Sequence, residues 1–187
     1  MTSDQEHPRS PYGTVIAPGT IRFERLLPGP IERVWSYLSE SDKRARWLAA
    51  GEMEPRAGAA FDLCFDHAGL SPHQVPTPER FKQYDGGIGS SHRVIRCEPP
   101  HVLAITWGGG GEGPSEVTFE LAAEGDEVRL VLTHRRLADA RTMVDVAGGW
   151  HTHLAILEDT LAGRTPPSFW TLFGGIEEDY AGRIAAS

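Results

Sequence analysis

At 187 residues the chain suits one domain, which at this size buries roughly two-thirds of its extended surface and needs no disulfide or metal staple. Its 26 acidic and 18 basic residues give a formal net charge of -8, which leaves no basic footprint for nucleic acid. No apolar run approaches the ~20 residues that cross a bilayer, and Met1–Pro11 is polar, unlike a secretory leader, so no membrane insertion and a cytoplasmic location are expected.

Residues 1–19 lack apolar periodicity and are expected to form a loose arm ahead of a domain spanning 20–164. In Thr20–Leu27, Ile21 and Phe23 alternate with Arg22 and Glu24, the pattern of a half-buried strand. Pro28-Gly29-Pro30 breaks it, and Ile31, Val34, Trp35 and Leu38 then share one helical face. Ser41 or Asp42 can cap a second short helix ending near Trp47. Ala60–Phe65 reads as a strand with Phe61, Leu63 and Phe65 on one side. Residues 66–91 are rich in His, Pro, Gly and Gln. An insertion of that length suits a lid or partner-binding segment, with a solvated hairpin as the alternative.

Strands are expected over Ser91–Glu98, Val102–Trp107, Ser115–Leu121 and Val128–Arg135, the text of an antiparallel meander. The Gly108–Gly111 run joins two of them, opens no helix and lacks a Lys-Ser/Thr ending, so it reads as a hairpin rather than a phosphate loop. From about Arg141 to Gly163, Met143, Val146, Ala147, Trp150, Leu154, Leu157 and Leu161 step by three and four along a long helix. Gly148 and Gly149 in its middle cost roughly 1 kcal/mol each relative to alanine. That cost points to close backbone approach or to a kink that opens space beside the sheet. Gly163 and Pro166-Pro167 end the helix. In residues 165–187, Phe169, Trp170, Leu172, Phe173, Ile176 and Tyr180 are too apolar to stand in water. The tail is expected to be helical and to pack on the domain or on a second subunit, which leaves a homodimer open. The order implies an α+β helix-grip fold, a curved antiparallel sheet wrapped around the long C-terminal helix.

Four segments carry a resemblance. Pro30-Ile31-Glu32-Arg33-Val34-Trp35 with Ala45-Arg46-Trp47-Leu48 resembles the first helical pair of the activator-of-heat-shock-protein-90-ATPase homologues, in the START and birch-pollen-allergen (SRPBCC) superfamily. Val94–Pro100 running through Val102–Trp107 is similar to that family's central hairpin, and Gly148-Gly149-Trp150 resembles the start of its closing helix. The tail, with Phe169-Trp170 and later Tyr180 and Arg183, is also like that of bacterial members, so the resemblance covers roughly residues 20–185 apart from the insertion, and its motifs are mostly turns, strand ends and core tryptophans. It implies a pocket for a small apolar or aromatic molecule between helix and sheet. It also leaves open an enzyme of the polyketide cyclase or hydratase type, or a chaperone-regulating interaction domain.

The expected pocket walls are Trp47, Phe61, Leu63, Phe65, Leu103, Ile105, Trp107, Phe119, Leu121, Trp150, Leu154 and Leu157. His92 and Arg96 share the Val94 face, and His134 extends the Val128–Leu132 face, so His92 and His134 are the polar candidates for the pocket. Glu116 joins them as a candidate if there is acid–base chemistry. His151 and His153 lie about 200° apart around the helix, so one metal cannot take both. His67 and His73 lack zinc-ligand spacing, Cys64 and Cys97 read as reduced thiols unless their strands are neighbours, and no Gly-x-Ser-x-Gly occurs. Neither metal nor cofactor is expected.

Overall fold

The computed structural model describes residues 10–109 and 113–186. Its strands are β1 (Thr14–Ala17), β2 (Thr20–Pro28), β3 (Ala60–Phe65), β4 (Ile88–Glu98), β5 (Val102–Gly109), β6 (Pro114–Glu124) and β7 (Glu127–Arg135). They form one antiparallel seven-stranded sheet in the order β1-β2-β7-β6-β5-β4-β3. The helices are α1 (Ile31–Ser39), α2 (Ser41–Arg44), α3 (Ala140–Leu161), α4 (Phe169–Phe173) and α5 (Ile176–Ala185). The sheet curves around α3, which is the helix-grip architecture.

Sequence periodicity explains most of this. In β2, Ile21 and Phe23 are buried while Arg22 and Glu24 are not, and in β7 Val128, Leu130 and Leu132 line the inner face. On α3, Met143, Ala147, Trp150, Leu154, Leu157 and Leu161 are all buried. Asp139 caps that helix, its carboxylate accepting from the Thr142 N–H at 2.7 Å, which satisfies an amide the first turn leaves free. Gly163, at φ +72°, ends it in the left-handed conformation that favours glycine.

Four details depart from the sequence reading. Thr14–Ala17 is a strand paired with β2, so the loose arm does not extend through it; residues 1–9 lie outside the described residues. β4 begins at Ile88, inside the expected insertion, and the second short helix ends at Arg44 with Glu40 at its N-cap. Ile95 is an extra residue in β4, since Val94 faces Ile105 while Arg96 faces Ala104. That bulge turns Arg96 out of the Val94 face to an exposed bidentate pair with Glu98 at 2.7 Å. Residues 110 and 111 of the glycine run, with residue 112 after them, also lie outside the described residues. Cys64 and Cys97 are free: the first faces Gly89 across the β3–β4 ladder and the second faces Leu103 across β4–β5.

The tail packs on its own chain. Phe169, Phe173, Ile176 and Tyr180 are buried, and an added Cβ on Gly148 would stand 3.1 Å from the Phe173 ring and 3.4 Å from Ile176. Gly148 is therefore a close-approach glycine. The insertion is tied to this tail by the Ser71 hydroxyl, which donates to the Pro166 carbonyl at 2.7 Å. Phe81 stacks on Trp170, and Arg80 pairs with Glu177. Both Phe81 and Arg80 belong to a 3₁₀ turn over Glu79–Tyr84.

Candidate ligand site

A cavity of about 350 Å³ opens between α3 and one end of the sheet. Its strand chemistry explains its place. β4 pairs with β5 from Val94 to Glu98, while from Arg93 back to Ile88 it pairs with β3. Where the two strands part, side chains replace the ladder: His92 Nδ1–H donates to the Thr106 carbonyl at 2.8 Å, and Arg93 N–H donates to the Thr106 hydroxyl at 2.8 Å. The backbone groups stay satisfied, and the opened edge leaves room under α3.

Aromatic rings make the wall. Phe65, Trp107, Trp150 and Phe169 line the cavity, with Val146 and Ile88 beside them. Trp107 and Trp150 lie 4.7 Å apart between ring centroids, and Trp107 meets Phe65 edge-on at 5.9 Å. Gly149 forms part of the helix side, and a Cβ built on it would meet no atom within 4 Å. The adjacent glycines thus do different things. Gly148 admits the tail, and Gly149 leaves the cavity open.

Polar groups are few and placed. Ser90 and His92 stand two residues apart on the inner face of β4, with Ser90 Oγ 2.6 Å from His92 Nε2. Burial holds the His92 imidazole below the ordinary histidine range, against an opposing pull from the Thr106 bond. His153 enters from α3, its Nδ1–H donating to the Trp47 carbonyl at 2.7 Å, and burial pushes it down to about 3, helped by nearby His67. His67 comes from the insertion and packs 4.1 Å from the Phe169 ring centroid. Asp145 stands exposed at the mouth. These side chains leave the cavity neutral and mostly apolar inside, with its charge at the rim.

Of the residues expected at the wall, Phe65, His92, Trp107 and Trp150 are there. Trp47, Phe61, Leu63, Leu103, Ile105 and Phe119 instead surround a residual space of about 10 Å³ at the other end of the grip, too small for any ligand. Leu154 and Leu157 on α3 and Leu121 on β6 are buried and line neither space. His134 does not reach the cavity. It accepts from the Trp150 indole N–H at 2.9 Å and donates from Nε2 to Ser115 Oγ at 2.7 Å. Ser115 in turn donates to the Trp107 carbonyl at 2.6 Å. With no exposure and both nitrogens engaged, it is pushed down to about 4 by burial. Its role is to pin two wall tryptophans. Glu116 lies on the outer face in an ion pair with Arg136 at 3.2 Å. His151 faces the Tyr180 hydroxyl at 3.0 Å, away from His153, as the helical spacing requires. Among the described residues no group of three or more His, Cys, Asp or Glu side chains is placed to hold a metal ion.

A family model described as activator of Hsp90 ATPase homolog 1-like protein matches residues 28–162, most of the chain and all of the grip from α1 to the end of α3. The chain belongs to that family. The solution structure of the protein encoded by gene BPP1335 from Bordetella parapertussis is similar at 55% identity and a TM-score of 0.80, over 98% of this chain and 95% of that one. CalU16 from Micromonospora echinospora shares the fold at 24% identity and a TM-score of 0.64, covering 89% of this chain and 88% of its own. A conserved protein of unknown function from Enterococcus faecalis, EF2215, does so at 17% identity and 0.65, over 93% and 91%. No curated protein matches the sequence. The family match ends at residue 162, ahead of Phe169, so one aromatic wall of the cavity comes from beyond the matched region.

Proposed function

We propose that the protein binds a small apolar or aromatic molecule in the cavity between α3 and the parted β4–β5 edge. One observation carries the reading: about 350 Å³ of space is faced by Phe65, Trp107, Trp150 and Phe169, with the Ser90–His92 pair as its built polar feature. That volume is in the range of small-molecule sites, which are mainly apolar with a few fixed polar groups. The His134 chain ties the Trp150 ring and the Trp107 backbone, so the site is formed before a ligand arrives and little ordering entropy opposes binding.

The helix side offers a clean test. Gly149→Leu places a side chain in open space rather than against a neighbour, so it should fill the cavity while leaving the fold intact. Wild-type protein is expected to show a thermal shift and tryptophan quenching with bicyclic aromatics such as naphthols, and the Gly149→Leu variant should show neither. Equal responses in the two proteins would place binding elsewhere and refute the reading.

A further inference from the structure

Among the described residues, two serine hydroxyls meet histidine rings, and the polarities of the two contacts are opposite. In the Ser115–His134 pair the serine hydroxyl donates to the Trp107 carbonyl, and His134 Nδ1 already accepts from Trp150. Neither a free base nor a free nucleophile remains. In the Ser90–His92 pair, Nδ1 faces the Thr106 carbonyl, which can only accept, so Nδ1 carries the proton. In the neutral ring Nε2 is then a lone pair, and the Ser90 hydroxyl at 2.6 Å must donate to it. Ser90 is half-buried and lines the cavity, whereas its neighbour Ser91 turns outward to Asp62. A hydroxyl held by a neutral imidazole, itself oriented through its other nitrogen, is the arrangement that activates a serine.

We propose that Ser90 and His92 form a nucleophile–base pair that takes the acyl group of a small apolar ester or thioester seated in the cavity. The proposal rests on the ligand-binding reading above and adds the chemical class of the ligand. Ser90 Oγ bonds to the carbonyl carbon as its proton passes to His92 Nε2. That nitrogen then returns the proton to the leaving alcohol or thiol as the C–O or C–S bond breaks, leaving an acyl-serine. Water, giving a proton to the same nitrogen, attacks the acyl-serine and releases the carboxylic acid, and the proton returns to Ser90. The Thr106 carbonyl keeps Nδ1–H in place throughout and stabilises the transient imidazolium. Apolar walls select an uncharged acyl chain or aryl leaving group over a charged one.

The test uses the full chain with p-nitrophenyl butyrate, followed by nitrophenolate release and intact mass. The expected result is a burst near one equivalent and a mass increase of one butyryl group mapped to Ser90. Ser90→Ala should release nitrophenolate about a hundredfold more slowly, the scale of a lost nucleophile–base pair. Ser90→Cys should retain the adduct as a thioester, which separates lost chemistry from lost fold. Calorimetry with the uncleavable butyl p-nitrophenyl ether reports seating of the ligand alone. If the ether binds and Ser90 stays unmodified, the acyl-transfer proposal is overturned while the binding reading stands. If release is as fast in Ser90→Ala, the proposal is likewise overturned. If the ether does not bind, the binding reading fails and takes the proposal with it.

Discussion

The two ends of the space between α3 and the sheet are built from similar residues and come out differently. At the α1–α2 end, Trp47, Leu63, Leu103 and Phe119 interdigitate, Trp47 meets Phe119 edge-on at 6.4 Å, and about 10 Å³ remains. At the insertion end, Phe65, Trp107, Trp150 and Phe169 stand around about 350 Å³. Composition does not separate them, as both are aromatic and aliphatic. Two backbone features do. β4 leaves β5 beyond Val94, and α3 presents Gly149 where any larger residue would enter the gap. Polar bonds fix both tryptophans at the open end, His134 to the Trp150 indole N–H and Ser115 to the Trp107 backbone carbonyl.

The largest expected effect breaks the filled end. Phe119→Ala removes a ring that is 2% exposed and packs on both Trp47 and Trp150, and should cost about 3–5 kcal/mol in a denaturant titration. His134→Leu attacks the open end instead. It strands the buried Trp150 N–H and should cost about 1–3 kcal/mol, with a loss of ligand binding that Phe119→Ala at equal stability would not match.

Acid sharpens the comparison, since the buried histidines His134 and His153 flank the open end. An unfolded imidazole titrates near 6.5, whereas folded His134 and His153 are pushed to about 4 and about 3. The folded state therefore binds fewer protons across that window. Stability from this source is complete above the unfolded value and is lost as pH falls toward the folded ones. His153→Asn keeps a donor for the Trp47 carbonyl and removes the titration. Melts between about pH 6 and about pH 4.5 should lose roughly 1 kcal/mol less per pH unit in that variant.

The smallest effect separates the two glycines. Gly149→Ala meets nothing and should stabilise α3 by roughly 0.5–1 kcal/mol. Gly148→Ala would press on Phe173 at 3.1 Å and should forfeit that gain. Equal melting shifts for both would remove the distinction between packing and opening.

Much of the fold is legible because its faces repeat with period two in the strands and near four in α3. The alternation in β2 and β7 and, apart from half-buried Val146 at the cavity, the Met143-to-Leu161 stripe survive in the burial of those residues. Arg96 escapes the pattern because a bulge at Ile95 shifts the period by one without any glycine or proline to mark it. Thr14–Ala17 escapes because a short, largely exposed edge strand needs no apolar face. The site is legible only in part. Phe65 and Leu63 alternate identically in sequence, yet one faces a cavity and the other a filled core, a difference set by where β4 leaves β5. His67, Asp145 and Phe169 reach the cavity through the insertion, the helix start and the tail, and no local pattern joins them. Ser90 does carry a signal. A serine two residues before a histidine on one strand face can be found by the same period that selects His92.

The most direct test of the account is an amide and indole NMR titration of the full chain with 2-naphthol. Shifts confined to Phe65, Trp107, Gly149, Trp150 and Phe169, with Trp47 and Leu63 unmoved, are the expected result. Shifts spread over the outer face of the sheet, or equal movement at Trp47 and Trp107, would contradict the assignment of the open end as the binding site.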